Sequence, residues 1–294
     1  EDERLISGKG RFTDDISAEG QVFAYMVRSP HAHARIVSID AEDARNAPGV
    51  LAVYTGEDAH AAGLGVVASP AADLIKNRDG SPIFKTVRPL IARTQVRYAG
   101  DTVAMIVAET LDQARDAADL LIIDYETLPV IADTEGALAP DAPLVWEEAG
   151  TNLAFDWEMG DEAAVAGAMK NARHVTCLKL VNNRIVVNAM EPRAALGVYD
   201  AAADRYTLHT GTQGVHSVRN FIAQFSLNIP VEKLRVVTED VGGGFGMKTF
   251  VYPEYPLVLF ASRQLGRPVK WTADRSDSFL TDSQGRDHVT EAAL

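Results

Sequence analysis

The segment that most constrains the fold of this 294-residue chain is LRVVTEDVGGGFGMK, at residues 234–248. An apolar, β-prone run at residues 234–237 leads into glycines 242–244, and Phe245 and Gly246 follow directly. Glycine loses more conformational entropy on folding than other residues, so a simple surface turn has no reason to keep three in a row. We expect positive φ angles at these glycines and a bare backbone whose amide N–H groups can approach an anion or an oxo ligand. The segment therefore predicts a ligand-binding loop at the end of a strand.

The loop matches neither of the two common glycine-rich signatures. A dinucleotide fingerprint that begins at Gly242 requires glycine where this chain has Met247. A Walker A loop requires a Gly-Lys pair, and Met247 separates Gly246 from Lys248. A tight packing turn is the alternative to a ligand loop. A phosphate- or nucleotide-binding domain is a further alternative, but it lacks an acidic metal-binding strand at a recognisable distance.

Charge and hydropathy exclude two classes of partner. The formal net charge of −13 argues against nucleic acid and against an anionic membrane surface. The longest apolar runs, at residues 103–108 and 257–261, are too short to cross a bilayer. We therefore predict a protein that binds neither nucleic acid nor membrane.

The residues that commonly bind metals or form disulfides are sparse. Cys177 is the only cysteine, which rules out an internal disulfide and a cysteine-ligated iron–sulfur cluster held by this chain alone. Because Cys177 lies in an apolar strand pattern, we expect a buried, inert thiol. The lack of a possible internal disulfide predicts a reducing, cytoplasmic location. His31 and His33 share a face of an extended segment, but no third ligand nearby completes a metal site, so packing or surface histidines are the simpler interpretation.

The patterns along the chain predict two domains. Alternating strand and helix patterns predict an α/β domain over residues 1–132, with an N-terminal arm at residues 4–15 and a long loop at residues 60–86. Residues 133–150 have no clear period and predict a connector. Residues 151–294 predict an incomplete α+β domain. The chain begins at Glu1 and ends in the strand-like VTEAAL, so we expect a part of a longer polypeptide. The helices are predicted at residues 43–47, 110–121, 161–170, 217–227 and 253–265. The strands are predicted at 22–28, 50–54, 102–108, 121–125, 174–181, 195–199, 206–210, 234–238 and 268–272, and a further strand follows residues 31–36 and ends at Ile39.

Candidate site residues cluster after residue 190. Glu191-Pro192-Arg193, Gln213 after a strand and the glycine loop all occupy turns, and loops beyond strand ends are where binding sites are usually built. Taken alone, Gln213 is most simply a surface amide in a turn. Glu191 and Arg193 are most simply a structural ion pair that flanks the proline.

Short motifs along nearly the whole chain share an order and spacing with a known family. They are GKGRFTDDI, VRSPHAHARI, PGVLAVYTGED, VRYAGDTVAMIVAET, IDYETLPVIAD, MEPRAALGVYD, TQGVH, VTEDVGGGFGMK and GRPVKWTADRSDSF. No single motif is decisive, but together they resemble the N-terminal part of the molybdenum-containing large subunit of the xanthine dehydrogenase and aldehyde oxidase family. The resemblance is strongest to the branch similar to carbon monoxide dehydrogenase.

This resemblance implies a fold and a cofactor. Residues 1–132 would form an α/β hammerhead domain, and residues 151–294 the first part of a molybdopterin-binding domain. The cofactor implied is molybdopterin cytosine dinucleotide, whose pterin holds the molybdenum, so no side chain of this chain is expected to be a direct metal ligand.

The resemblance also assigns the residues of the predicted loop. The carboxamide of Gln213 matches the glutamine that faces a molybdenum oxo ligand. Phe245, with Gly243, Gly244 and Gly246, matches the loop whose backbone lies against the molybdopterin.

The implied activity is the hydroxylation of an aldehyde or N-heteroaromatic carbon, with water as the oxygen source. Electrons would pass to [2Fe–2S] clusters on a small subunit and FAD on a medium subunit, in a dimer of heterotrimers. The catalytic base of the family is a glutamate expected beyond Leu294, so no catalytic residue is expected within this chain, which alone should be inactive. A non-catalytic scaffold or degenerate subunit with the same fold is the alternative.

One position departs from the pattern of the purine-oxidising members. Thr249 stands where they carry a substrate-binding glutamate, four residues after the loop phenylalanine. This departure disfavours purines and leaves aldehydes, N-heteroaromatics and carbon monoxide as candidate substrates. Carbon monoxide would require a copper-binding cysteine outside this chain.

Overall fold

The computed structural model describes residues 2–69 and 74–294. Glu1 and residues 70–73, which belong to the loop predicted at residues 60–86, lie outside the described residues. The chain forms two compact units. Unit 1 comprises Glu1–Ala68, Val87–Leu128 and Val187–Ser283, and unit 2 comprises Ser69–Thr86, Pro129–Val186 and Gln284–Leu294.

The secondary structure alternates between strands and short helices. The strands are β1 (Val22–Arg28), β2 (Ala34–Asp40), β3 (Val50–Thr55), β4 (Val66–Val67), β5 (Arg88–Pro89), β6 (Gln95–Val96), β7 (Thr102–Ala108), β8 (Ile122–Thr127), β9 (Cys177–Asn182), β10 (Ala194–Asp200), β11 (Arg205–Thr210), β12 (Leu234–Val237), β13 (Val269–Thr272) and β14 (His288–Ala293). The α-helices are α1 (Asp2–Ile6), α2 (Glu42–Asn46), α3 (Gly56–Ala61), α4 (Leu111–Ala118), α5 (Glu162–Asn171), α6 (Val215–Phe221), α7 (Glu254–Leu265) and α8 (Arg275–Thr281).

Unit 1 is built on a seven-stranded mixed sheet in the order β12-β11-β10-β13-β1-β7-β3. β13 runs parallel to β1, and β12 runs parallel to β11, whereas the other neighbours are antiparallel. Strand β7 is buried at every position, as its uninterrupted apolar sequence predicts for a strand covered on both faces. A smaller sheet in the order β6-β2-β8 completes this unit, together with the short β4–β5 pair.

Helix α7 packs against β10 at the centre of unit 1. Every residue from Glu254 to Ser262 is buried, which fits a helix that is apolar around most of its circumference. Helix α4 contacts β1 and β7 through the buried Ala114 and Ala117. Thr110 begins α4 as predicted, because its hydroxyl accepts a hydrogen bond from the Gln113 N–H at 3.2 Å.

Several segments differ from the sequence-based prediction. The helix predicted at residues 217–227 ends at Phe221 as an α-helix and continues as a π-helix over Ile222–Ser226. The loop predicted at residues 60–86 contains the end of α3 and strand β4. Helices α1 and α8 were not predicted, because at five and seven residues they are too short to show an apolar period.

Unit 2 contains α5 and an antiparallel ribbon of β9 and β14, in which Cys177 lies opposite Ala293. Every residue of β9 is exposed. The prediction of a buried thiol at Cys177 was therefore wrong. Apolar composition indicates a buried strand only where a second layer covers it, and within the described residues β9 pairs with β14 alone. Within residues 2–69 and 74–294, no helix is long and apolar enough to cross a membrane.

Candidate functional site

The two predicted site loops meet at one end of the large sheet. Strands β11 and β12 run parallel, so the loops that follow them start at the same edge. Gln213 lies in the loop after β11, and the glycine loop follows β12. The Thr212 N–H donates to the Thr238 hydroxyl at 3.3 Å and joins the beginnings of the two loops.

Gln213 contacts the glycine loop through both its side chain and its backbone. Its Oε1 accepts a hydrogen bond from the Gly246 N–H at 2.9 Å, and its own N–H donates to the Lys248 carbonyl at 3.1 Å. Because an amide N–H can only donate, the carboxamide oxygen must face Gly246. The NH2 group of this exposed side chain is consequently directed away from Gly246.

The backbone of the loop is left-handed at three positions, with φ values of +102° at Gly243, +50° at Phe245 and +90° at Gly246. The expectation of positive φ at all three consecutive glycines was wrong for Gly242 and Gly244. At those two positions glycine is required because a side chain would collide with neighbouring atoms. A Cβ atom at Gly244 would lie 2.6 Å from the Cδ and Oε1 atoms of Gln213, well inside van der Waals contact.

Three successive amides of the loop are free to bind a ligand. Among the hydrogen bonds of the residues that the structure describes, none has the N–H of Gly243, Gly244 or Phe245 as donor. Phe245 is 79% exposed. These amides and the Gln213 NH2 group form a set of donors without acceptors, which fits a ligand that presents oxo or phosphate oxygens. The residues present therefore fit an oxygen-rich cofactor that accepts hydrogen bonds.

The side chains of the described residues do not form a site that would bind a metal ion directly. Among the described residues, no group of three or more His, Cys, Asp or Glu side chains is arranged to hold a metal ion. The ring of His31 packs edge-on against Tyr125 at 4.8 Å, and His33 hydrogen-bonds Gln95. Both histidines therefore have structural partners.

Glu191 lies against the glycine loop. Its Oε2 accepts hydrogen bonds from the Gly242 N–H at 2.8 Å and from the Lys248 ammonium at 2.7 Å. The side chain of Lys248 is fully buried, and that of Glu191 is 12% exposed. Lys248 was not among the sequence candidates. The signal that could have revealed it is a lysine within an apolar segment directly after a glycine-rich loop.

Arg193 lies in a different cluster. Its guanidinium donates to Asp282 at 2.6 Å and to Glu254 at 2.8 Å, and lies 3.7 Å from the centre of the Tyr252 ring. The predicted ion pair between Glu191 and Arg193 was therefore wrong. Each buried charge needs an opposite charge at hydrogen-bond distance, and here both partners come from elements distant in sequence.

Two arginines keep the buried Glu254 ionised. Burial alone would raise the pKa of this carboxyl. The guanidinium groups of Arg193 and Arg28, whose hydrogen bonds to Glu254 are 2.8 and 2.7 Å long, outweigh burial and lower its pKa to about 2. The cluster supports the start of α7.

Comparison with known protein families shows the family to which this chain belongs. A family model described as the molybdopterin cofactor-binding domain matches residues 145–294. A second model, described as the α/β hammerhead domain of aldehyde oxidase and xanthine dehydrogenase, matches residues 7–129. The chain belongs to this molybdopterin-binding family. The predicted family and the predicted mixed α/β fold are both confirmed.

Individual relatives match along almost the whole chain. The carbon monoxide dehydrogenase large chain of Afipia carboxidovorans is 34% identical over 99% of this chain. Subunit gamma of the 6-hydroxypseudooxynicotine dehydrogenase complex of Paenarthrobacter nicotinovorans is 37% identical over 100% of it. The chain spans 36% of the length of each of these two relatives.

A solved structure shows the same fold. The crystal structure of quinoline 2-oxidoreductase from Pseudomonas putida superimposes with a TM-score of 0.88 at 34% identity. The match covers 100% of this chain and 36% of that protein. This chain therefore corresponds to part of a molybdenum-cofactor-binding large subunit.

Proposed function

We propose that this chain holds the molybdopterin in the large subunit of a molybdenum-dependent hydroxylase. In this proposal residues 1–132 form the hammerhead domain, residues 133–150 are a connector, and residues 151–294 contribute the first part of the molybdopterin-binding domain. The ranges of the two family models, 7–129 and 145–294, support this division.

A single observation carries the proposal, namely the row of free backbone donors beside Gln213. The N–H groups of Gly243, Gly244 and Phe245 have no acceptor among the described residues, and the Gln213 carboxamide is oriented by the Gly246 N–H. Fixed donors in a row suit an anionic or oxo-bearing group, whose charge they stabilise without rearrangement.

Each residue then has a defined task. The backbone of Gly243 and Gly244 would donate to the oxygens of the cofactor, and the exposed ring of Phe245 would cover the loop side of the site. Gln213 would direct its NH2 group at an oxo group and thereby orient it. The bound cofactor would supply the oxidation of the substrate carbon, with oxygen taken from water. The base glutamate is proposed to lie beyond Leu294.

The form of the cofactor and the partners are proposed from the resemblance to the family. We propose molybdopterin cytosine dinucleotide, with electrons passing to [2Fe–2S] and FAD subunits in a dimer of heterotrimers in the cytoplasm. The relative from Paenarthrobacter nicotinovorans is itself named as one subunit of a complex, which supports a heteromeric assembly. The single cysteine is in keeping with clusters held by other subunits.

The substrate we favour is an N-heteroaromatic compound or an aldehyde. Quinoline 2-oxidoreductase is named for an N-heteroaromatic substrate, and it matches the whole of this chain. Carbon monoxide is the second candidate, because a carbon monoxide dehydrogenase large chain is 34% identical. Thr249, in the position of the purine-binding glutamate, argues against purines.

Metal analysis tests the proposal directly. The intact polypeptide that contains this chain is produced in a host that makes the molybdenum cofactor, together with its iron–sulfur and flavin partners. We expect stoichiometric molybdenum, and turnover with quinoline or an aromatic aldehyde exceeding turnover with carbon monoxide or xanthine. A polypeptide free of molybdenum from such a host would instead favour the alternative of a non-catalytic scaffold.

A further inference from the structure

We propose that Glu191 and Lys248 are positioning residues, which hold the glycine loop and Gln213 in one fixed arrangement. Neither side chain is itself placed against the cofactor. They act by fixing where the free amides of Gly243 and Gly244 lie relative to the Gln213 carboxamide. The inference rests on the proposed function, because it assigns a purpose to that arrangement.

Glu191 contacts both ends of the loop. At the start of the loop, its carboxylate accepts the Gly242 N–H at 2.8 Å, and its own backbone N–H donates to the Gly242 carbonyl at 3.0 Å. At the end of the loop, the same carboxylate oxygen accepts the Lys248 ammonium at 2.7 Å. One side chain therefore ties together two points of the chain that are six residues apart.

Lys248 extends this connection to Gln213. Its carbonyl accepts hydrogen bonds from the Gln213 N–H at 3.1 Å and from the Thr212 hydroxyl at 2.9 Å. Its side chain is fully buried, and a buried ammonium is stable only when an anion or several acceptors surround it. The position of Lys248 is thus set by Glu191, and the backbone of Gln213 is set by Lys248.

The contacts form a closed ring around the free donors. From Glu191 the ring passes through Gly242, along the loop to Gly246, and across to the Gln213 carboxamide. It returns through the Gln213 backbone and Lys248 to Glu191. A segment with this much glycine samples many conformations when unrestrained. The ring restricts it to one conformation, so the donors are preorganised before a ligand binds.

The glycine at position 242 supports the same interpretation. A Cβ atom there would lie 2.5 Å from the Cβ atom of Glu191, so any larger residue would displace this carboxylate. Gly242 has no positive φ that would require glycine. The first glycine of the triplet therefore provides room for Glu191, whereas Gly244 provides room for Gln213.

The test compares Glu191→Ala, Glu191→Gln and Lys248→Met in the intact polypeptide. Asp277→Asn is the matched control, because it also weakens a part-buried ion pair, with Arg28 at 3.0 Å, and Asp277 makes its other hydrogen bonds to Asp274 and Thr281. Two quantities are measured on every variant. The first is hydrogen exchange of the peptide that contains residues 238–248, and the second is molybdenum content.

We expect amide exchange in the loop to be faster by about tenfold or more in Glu191→Ala. Molybdenum content should fall by a similar factor, which is the low end of the effect of removing a group that orients a ligand. Glu191→Gln keeps an oxygen acceptor for Gly242 and should fall between wild type and alanine. Lys248→Met should resemble Glu191→Ala. Asp277→Asn should leave both quantities at the wild-type value.

Unchanged loop exchange in Glu191→Ala would overturn the inference, and so would faster exchange with full molybdenum content. Equal effects from Asp277→Asn would also overturn it, because they would show a general loss of stability. A wild-type polypeptide without molybdenum contradicts the proposed function, and the exchange data alone then decide whether Glu191 and Lys248 fix the loop.

Discussion

Each of the three consecutive glycines of the loop is required for a different structural reason. Gly242 lies against Glu191, Gly243 takes a φ of +102°, and Gly244 lies against the Gln213 carboxamide. A run of identical residues thus meets two steric requirements and one conformational requirement. Each substitution in the run should therefore fail in a different way.

Replacement of Gly244 by valine should prevent cofactor loading. Its Cβ atom would lie 2.6 Å from Gln213 Cδ, so the carboxamide must move away from Gly246. Molybdenum content of the purified intact polypeptide measures the effect, and we expect it to fall to the background level. Gly167→Ala is the control, because nothing lies within 4 Å of a Cβ atom there. Full molybdenum content in Gly244→Val would contradict the proposed cradle.

Gln213 allows its two functional groups to be tested separately. Gln213→Ala should retain molybdenum but slow turnover by about 10–100-fold, the low end for losing one donor to a developing charge. Gln213→Glu keeps an oxygen for the Gly246 N–H but replaces the NH2 donor with a second, negatively charged carboxylate oxygen. We expect the glutamate variant to be as slow as the alanine variant in steady-state assays. Wild-type turnover in Gln213→Glu would show that the NH2 group of Gln213 does not act in the site.

At the scale of secondary-structure elements, the parallel pairing of β11 and β12 creates the site. It places the loop that carries Gln213 and the glycine loop at one edge of the sheet. The sheet is in turn held by α7, which crosses β10 at very short range. A Cβ atom at Gly197 of β10 would lie 2.7 Å from the backbone carbonyl of Val258.

Gly197→Ala should therefore destabilise unit 1. The neighbouring atoms belong to the backbone of a buried helix, which cannot rotate away as a side chain can. We expect a loss of about 1–3 kcal/mol in the free energy of unfolding, the usual range for overpacking a core. Urea denaturation followed by tryptophan fluorescence checks this value, because Trp271 is buried in the same core. Stability equal to wild type would show that α7 shifts freely on the sheet.

At the scale of the whole molecule, buried charge links distant segments of unit 1. Arg28, Arg193, Glu254 and Asp282 lie on different elements, and their side chains are almost completely inaccessible to solvent. Such a cluster adds little net stability over apolar packing. It becomes costly when one member is lost, because the others remain buried without a partner.

Acid should unfold the protein through this cluster. The pKa of Glu254 is about 2 in the folded state against an ordinary 4.5, so its contribution to stability is complete above pH 4.5 and is lost as pH falls toward 2. Glu254→Gln should cost about 3–5 kcal/mol at pH 7 and flatten the pH dependence of thermal unfolding between pH 4.5 and 2. If the melting temperature of this variant fell between pH 4.5 and 2 as steeply as that of the wild type, other carboxylates would be responsible for acid unfolding.

Ionisation of Asp101 should destabilise the folded protein, in contrast to ionisation of Glu254. Burial raises its pKa from 3.8 to about 6, so the ionised form is disfavoured in the folded state. Its unfavourable contribution is present above pH 6 and disappears as pH falls from about 6 toward 3.8. Asp101→Asn should therefore raise the melting temperature at pH 7 and leave it unchanged near pH 4. Equal shifts at both pH values would point to packing instead of charge.

Local sequence was sufficient for much of this description. The strands at β1 and β7, the Thr110 cap of α4 and the buried helix α7 follow from periodicity and capping, which depend on neighbours a few residues away. The order of motifs identified the family. The glycine triplet predicted a ligand loop, because three glycines in a row are entropically costly for a simple surface turn.

Tertiary structure alone decided the partners of the charged residues. Glu191 and Arg193, two residues apart, join separate clusters, and Lys248 becomes a buried cation through Glu191, which lies 57 residues earlier in the chain. Cys177 is exposed because its ribbon has two strands only, which its own apolar sequence does not reveal. Electrostatic pairing and burial depend on which elements contact each other in the folded structure, and the local periodicity of the sequence does not specify those contacts.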